Sequence, residues 1–489
     1  MDRRYFIALT AATLPALRSL AQAPASNLVL HTDKPGPTVP ANFVGLSYET
    51  QQLSDPTFFS PQNTGLIAQF QALAPHGVLR LGGNTSDYGF WKPTPSSIAP
   101  PRAKRDYKLG DPPPDLSYSI TPKAIHNLRA FLDATGWTCL YGINLGTNTP
   151  ALAADEAAFV ANALGSKLEY FQIGNEADRF ASTIRDPKTW SVDAYLAEWL
   201  AFANAVITRV PQAKFGMPDI ASNAAWFEGI GTTLAGNPIR SHIACLSHHY
   251  YIGGPPSNPQ MTIPHILTPD PVVTRVAGIV TAAATKLRTA YRMTEGNTCY
   301  RGGKPGVSDV FAAALWSADY LLLLASLGYA GVNLHGGDGQ MVANSLGGKL
   351  PGDDLVLATH GDPASHPHPY YTPIAHIGSD YLLEPVAYGM KFAQTFAGAT
   401  IIPIDFNPGR VNATAYAARR PNGQIILAFI NKDATQPLPL PATPNSNWTP
   451  ALTLHAPALT AAEAYLDTTI RTRQTAIPPA TAMIFGQIT

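Results

Sequence analysis

"LEYFQIGNE", residues 168–176, is the stretch from which the fold of this chain is read. Leu168 to Ile173 is a short apolar run of the kind that forms a strand buried on both faces. It breaks at Gly174 into Asn175 and Glu176, with Asp178 two residues on. Helix capping accounts for these residues locally, since Asn and Asp start helices and an acid in the first turn suits the helix dipole. Capping does not explain why the same arrangement recurs along the chain.

Working outward, seven further runs share the texture: "FVGLSYE" (43–49), "GVLRLGGN" (77–84), "CLYGINLG" (139–146), "AKFGMPD" (213–219), "IACLSHHYY" (243–251), "YRMTEGN" (291–297) and "YAGVNLHGG" (329–337). Helix-like segments lie between them, among them 124–135, 193–209, 273–290 and 307–327. Strands alternating with helices in this number predict an α/β fold, a parallel (β/α)8 TIM barrel. A doubly wound open sheet is the alternative. It places a glycine-rich phosphate fingerprint after its first strand, and "GLSYETQQL" has none. Polar residues gather where the proposed strands end: Glu49, Arg80 with Asn84, Asn144, Asn175 with Glu176, Asp219, His248 with Tyr250, Glu295, and Asn333 with His335. In a barrel these ends share one mouth, the face that carries chemistry.

The remainder of the chain frames this barrel, predicted over 39–378. Residues 1–25 read as a twin-arginine-like export signal, with Arg3 and Arg4 before a short apolar stretch and "APA" at 23–25, which predicts a periplasmic or extracellular location. From 379 a linker helix leads into short strands punctuated by Pro, Asn and Gly, the pattern of a C-terminal β-sandwich. Residues 26–38 are expected to join that sandwich. The stretch 336–373, rich in Gly, Pro and His, is long for a connection and reads as a functional or mobile loop.

Composition narrows the function. The 489 residues are 45% hydrophobic and carry 33 basic and 33 acidic side chains. Such a chain builds a large core, and zero net charge disfavours a nucleic-acid surface or a polyanion groove. Cys139, Cys245 and Cys299 are widely spaced and read as buried thiols. No cofactor and no metal is expected. His248 and His249 point to opposite faces of a strand and lack a third ligand, and "SHPHP" (365–369) reads as a Pro-interleaved surface loop. Oligomeric state is not legible.

Two carboxyl groups across a scissile bond are the requirement of glycoside hydrolysis. Glu176 and Glu295 end the fourth and seventh proposed strands, which a barrel brings to one mouth. Asn175 stands where a sugar 2-hydroxyl would be bound, and Tyr250 is placed to hold Glu295 by a hydrogen bond. At these residues the chain resembles the retaining glycosidases of the large (β/α)8 clan. More finely, "LRLGGNTSDY" (79–88), "GNEAD" (174–178), "SHHYY" (247–251) and "EGNTCYRGGKPGVSDVFAAALW" (295–316) resemble glycoside hydrolase family 79, the β-glucuronidases and heparanases. The resemblance implies Glu176 as acid/base and Glu295 as nucleophile, supported by Asn175 and Tyr250. It implies a sugar-carboxylate cradle of Tyr300 with the backbone N–H groups of Gly302 and Gly303. Tyr371 is a second carboxylate contact, with Tyr370 as its alternative. Glu49 would bind hydroxyls of the terminal sugar, and Asn84 joins the substrate-binding set. The implied activity is a retaining exo-β-glucuronidase acting on glucuronic-acid-containing glycans. The alternatives are another clan glycosidase, such as an arabinofuranosidase, a xylanase or an endo-acting heparanase-like enzyme, and a catalytically silent carbohydrate-binding protein.

Overall fold

The computed structural model describes residues 26–34, 36–100, 116–441 and 448–486. The expected export signal at 1–25 lies outside these residues. Eight parallel strands close a barrel: β1 (Val44–Glu49), β2 (Val78–Gly82), β3 (Thr138–Ile143), β4 (Leu168–Ile173), β5 (Phe215–Ile220), β6 (Ile243–Gly253), β7 (Ala290–Cys299) and β8 (Val332–His335). They neighbour one another in chain order, and β8 closes on β1 with Val332 beside Val44 and His335 beside Ser47.

The runs are apolar throughout because helices cover the outside of the sheet while the inside is packed. The helices begin where the sequence places its caps. Thr121, Thr149 and Asp270 each accept a backbone N–H of the first turn, and a Pro follows each at the first position of Pro122–Thr135, Pro150–Leu164 and Pro271–Leu287. Pro is tolerated there because that N–H has no intrahelical partner.

Alternation along the strands divides the barrel interior. Val78, Leu140, Tyr170 and Cys245 form a small apolar cluster of their own. Two residues further along three of those strands stand Arg80, Gln172 and Ser247, all buried. The mouth end of the interior is therefore polar, and it holds only because its members bond one another. All three cysteines are free and buried.

After β8 the chain leaves the barrel through the helix Gly339–Leu346 and a short turn of helix at Asp353–Leu357. It returns to the helix Pro385–Gln394, which lies against Phe311–Ser326. That approach needs Gly389, where a Cβ would come within 2.0 Å of Ala314 O. The last part is a six-stranded sheet, Thr400–Ile402, Ala413–Arg419, Ile425–Asn431, Thr481–Gly486, Pro450–His455 and Tyr465–Asp467 in spatial order. Period-two alternation sends Ile426, Ala428 and Ile430 into the core shared with the barrel, and Leu427 and Phe429 into a second core. The strand Asn27–Leu30 pairs antiparallel with Ile404–Asn407, and Leu28 and Leu30 pack against that second core. Asp319 on the helix Phe311–Ser326 receives Thr414 Oγ1 and Tyr416 OH at 2.6 Å each, and Lys432 Nζ, which fixes sheet to barrel. No helix among the described residues is long and apolar enough to cross a membrane.

Candidate active site

A pocket of about 490 Å³ opens at the C-terminal ends of the strands, lined by Glu49, Asn84, Asn175, Glu176, Glu295, Tyr300 and Tyr371 among others. Those seven are expected site residues, gathered from five of the strands or the loops after them.

Beneath the pocket lies Arg80, 1% exposed. Its Nη1 donates to Glu295 Oε2 at 2.6 Å and to Ser47 Oγ at 3.0 Å. Its Nη2 donates to Asp219 Oδ2 at 2.6 Å and Asn175 Oδ1 at 2.7 Å, and its Nε to Gln172 Oε1 at 3.2 Å. One planar fork thus aims the nucleophile candidate and the amide beside the acid candidate at once. Asn175 is further fixed by its own N–H on Asp87 Oδ2 at 3.1 Å and by its Nδ2 on Asn84 Oδ1 at 3.1 Å. Glu176 sits at φ +49° and Asp219 at φ +56°, left-handed backbone that a non-glycine residue adopts at a cost of about 1–3 kcal/mol. The Glu176 N–H donates to Asp219 O at 2.8 Å, so the two strained strand ends hold each other.

His249 lies between the carboxylates. Its Nδ1 is 2.9 Å from Glu176 Oε1 and 3.9 Å from Glu295 Oε2, and its Nε2 is 3.4 Å from both Asp219 Oδ1 and Arg80 Nη2. Carboxylate oxygens of Glu176 and Glu295 come within 4.8 Å of each other. The two acids nonetheless differ. Burial raises the pKa of Glu176 above the usual carboxylate range, against the lowering effect of its bond to His249. Burial pushes Glu295 the same way but is outweighed by His335, His249 and Arg80, which bring it down to about 2. Burial lowers His249, and the Glu295 and Asp219 carboxylates override it, raising the imidazole to about 10. The two carboxyls are thus pushed apart, one toward its protonated form and its neighbour toward its ionised form, the division of labour that acid–nucleophile chemistry needs. Arg80, at 2.6 Å from Glu295, sets positive charge beside the Glu176–His249–Glu295 cluster.

His249→Gln removes the cation that lowers both carboxyls. Both limbs of the kcat/KM–pH profile should then move to higher pH, the acid limb because Glu295 ionises later and the alkaline limb because Glu176 holds its proton longer. A profile that stays in place shows that His249 is neutral in the free enzyme.

Two expected contacts need correction. Tyr250 does not reach Glu295. Its hydroxyl donates to Asp270 Oδ2 at 2.8 Å and its ring stacks on Tyr320, outside the barrel. Tyr251 makes the contact instead, donating to Glu295 Oε1 at 3.0 Å. The reason is strand alternation: Cys245, Ser247, His249 and Tyr251 share the inward face, and His248 and Tyr250 the outward one. Gly302 and Gly303 do not line the pocket. Gly303 N–H donates to Cys299 O at 3.1 Å, and Gly302 is packed so closely that a Cβ would lie 2.0 Å from Val356 Cγ1. At φ +90° and +87° the pair makes the turn that follows Tyr300 and Arg301.

The other expected residues take these places. Tyr300 stands at the rim, 40% exposed, edge-on to Tyr251. Tyr371 is buried on the wall against Tyr251 and His335, whereas Tyr370 stacks on His360 away from the pocket lining. Glu49 Oε2 accepts from Thr85 N at 3.0 Å and Thr85 Oγ1 at 2.6 Å, while Oε1 lies 3.5 Å from His335 Nε2. It both caps the loop after β2 and lines the pocket. The stretch after β8 is a wall: Ser345, Leu346 and Leu350 line the pocket, and Arg301 binds Asp353 through Nε at 2.6 Å and Nη2 at 2.5 Å. Sequence reasoning placed Arg80, Asp219 and His335 at the mouth without giving them a role in the site, and it missed His249 and Tyr251. An arginine inside "VLRLG" was the available signal, because a charge in an apolar strand needs buried partners.

No family model matches the chain. It is 30% identical to a β-glucuronidase of Aspergillus niger over 311 residues, 58% of this chain and 55% of that one. It is 26% identical to a β-glucuronidase of Neurospora crassa over 414 residues, 77% of this chain and 68% of that one. The match thus spans little more than half of the Aspergillus relative. Among solved structures, a 4-O-α-L-rhamnosyl-β-D-glucuronidase from Fusarium oxysporum superposes with a TM-score of 0.66 at 17% identity, covering 95% of this chain and 99% of that one. A family 51 arabinofuranosidase from Xanthomonas axonopodis pv. citri gives 0.63 at 17% identity, covering 95% and 100%. At such identities the structural likeness is one of fold.

Proposed function

We propose that this protein is a retaining glycoside hydrolase, an exo-acting β-glucuronidase of the family 79 type. It removes terminal β-linked glucuronic acid by double displacement. The observation that carries the reading is the Glu176–Glu295 pair, close together at one mouth and with pKa values driven in opposite directions by their surroundings. Carboxyl groups about 5–5.5 Å apart suit a nucleophile and an acid, and those of inverting enzymes stand about 6.5–9.5 Å apart to admit a water. Similarity to two β-glucuronidases supports the choice of sugar.

In this reading Glu295, aimed by Arg80 and Tyr251, attacks the anomeric carbon as Glu176 protonates the departing oxygen. Glu176 then deprotonates the water that releases the sugar. Asn175 holds the 2-hydroxyl, and Glu49 and Asn84 bind other hydroxyls. With the Gly303 N–H engaged in a turn, recognition of the sugar carboxylate falls to Tyr300 and Tyr371. The segment after β8 walls the pocket through Ser345, Leu346 and Leu350, which suits recognition of a chain terminus. The sequence of residues 1–25 adds export to the proposal.

Hydrolysis of an aryl β-glucuronide followed by NMR tests the reading. The β-anomer should appear first, and the glucuronide should be preferred over the matching glucoside and α-L-arabinofuranoside. First release of the α-anomer, or preference for a neutral sugar, overturns it. Tyr300→Phe should lower kcat/KM for the glucuronide about tenfold and leave weak glucoside activity little changed, because its hydroxyl serves the carboxylate. Equal losses on both substrates assign Tyr300 to packing.

A further inference from the structure

The cations around the pocket differ in how they are neutralised. Arg80 contacts two carboxylates at 2.6 Å, Arg301 is forked onto Asp353, and His249 lies 2.9 Å from Glu176. Arg179 is the exception. It lines the pocket with a side chain 55% exposed, and its only ion-pair partner among the described residues is Glu176 Oε2, at 4.0 Å. Asp178, next to it in sequence, is turned away: its carboxylate accepts the backbone N–H groups of Ala221, Ser222 and Asn223.

That single partner is lost when the site is armed. The acid must carry its proton before the glycosidic bond breaks, and burial favours that form of Glu176. A protonated Glu176 gives Arg179 no counter-charge. The reactive state therefore presents an unneutralised guanidinium beside the acid. An acid stands next to the oxygen it protonates, so this is the leaving-group side of the bond. Thr183, Ala221 and Ser222 line the pocket there without adding charge.

We propose that Arg179 selects leaving groups that carry a carboxylate, so that the pocket cleaves glucuronic acid from an acidic aglycone or an acidic reducing-side sugar in preference to a neutral one. The inference rests on the reading of Glu176 as the acid. The carboxylate of the leaving group supplies the charge that Glu176 withdraws on protonation, and departs with the product.

Two isosteric substrates of closely similar leaving-group strength test this, the β-glucuronides of 4-hydroxyphenylacetate and 4-hydroxyphenylacetamide. At about pH 6, where the carboxylate is ionised, kcat/KM should favour the anionic substrate about tenfold at low ionic strength. The ratio should fall toward about twofold in about 0.5 M salt, since Arg179 is half exposed. Arg179→Gln should bring the ratio close to one, and Arg179→Lys should retain part of it. A wild-type ratio near one overturns the proposal. So does an equal loss on both substrates in Arg179→Gln, which would make Arg179 a positioning residue for Glu176. Hydrolysis of neither glucuronide by the wild type would instead remove the glucuronidase reading itself, and the inference with it.

Discussion

Glu295→Gln should reduce turnover of an aryl β-glucuronide by about 10⁴-fold or more, because the amide neither attacks the anomeric carbon nor forms the ester intermediate. Its amide oxygen can still accept from Arg80 while its NH2 faces the Tyr251 hydroxyl, which can turn to accept, so the fold should be retained and the loss read as chemical. Glu176→Gln should behave differently. Substrates with good leaving groups, which need little protonation, should still form the intermediate, while poor leaving groups lose most of their rate. Azide separates the two roles. With Glu176→Ala it should attack the glycosyl-enzyme and give the β-glycosyl azide. With Glu295→Ala it should attack the substrate directly and give the α-azide. The same anomer from both variants, or indistinguishable leaving-group dependence, would mean that the roles of acid and nucleophile are wrongly assigned.

Arg80→Met should cost about 3–5 kcal/mol of folding stability, the range expected when one partner of a buried ion pair is removed. The cause is what remains behind. Asp219 and Glu295, 2% and 9% exposed at their side chains, lose the cation that each contacts at 2.6 Å. Arg80 lowers the pKa of both groups, so the lost stability is the part present above their ordinary carboxylate range. The deficit should therefore be largest near neutral pH and shrink as acid protonates them. Surviving activity should show its acid limb moved upward, because Glu295 ionises less readily without the guanidinium. Arg80→Lys should recover part of the stability and less of the activity, since an ammonium restores charge but not the planar fork that also holds Asn175. A denaturation midpoint within experimental error of wild type for Arg80→Met would show that the network contributes nothing to folding.

The pH dependence follows from the same asymmetry. In the proposed mechanism activity needs Glu295 ionised and Glu176 protonated. It should persist toward about pH 2, where Glu295 gains its proton, and decline as pH rises through the elevated pKa of Glu176.

The architecture was legible because its causes are local. Each of the eight barrel strands lies within the run proposed for it or extends beyond it by at most two residues at either end. Short apolar runs bounded by turn residues have few other ways to bury both faces, and Thr–Pro or Asp–Pro pairs mark the starts of three of the barrel helices. The positions of Glu176 and Glu295 were legible for a related reason, since strand order in a barrel assigns which ends share the mouth. The side of a strand on which a residue falls was not legible. In "SHHYY" both faces of the strand are buried, so alternation is present but its phase is hidden, and Tyr250 was expected where Tyr251 stands. Backbone donors were equally hidden: whether Gly303 N–H faces a ligand or closes a turn depends on φ values that a glycine pair leaves open. The same holds for charge. Sequence alone determined that two carboxyls meet at one mouth. Only the tertiary structure decided that their pKa values move in opposite directions, because the lowering of Glu295 arises from Arg80, His249 and His335, brought together from three other strands in a medium too dry to screen them.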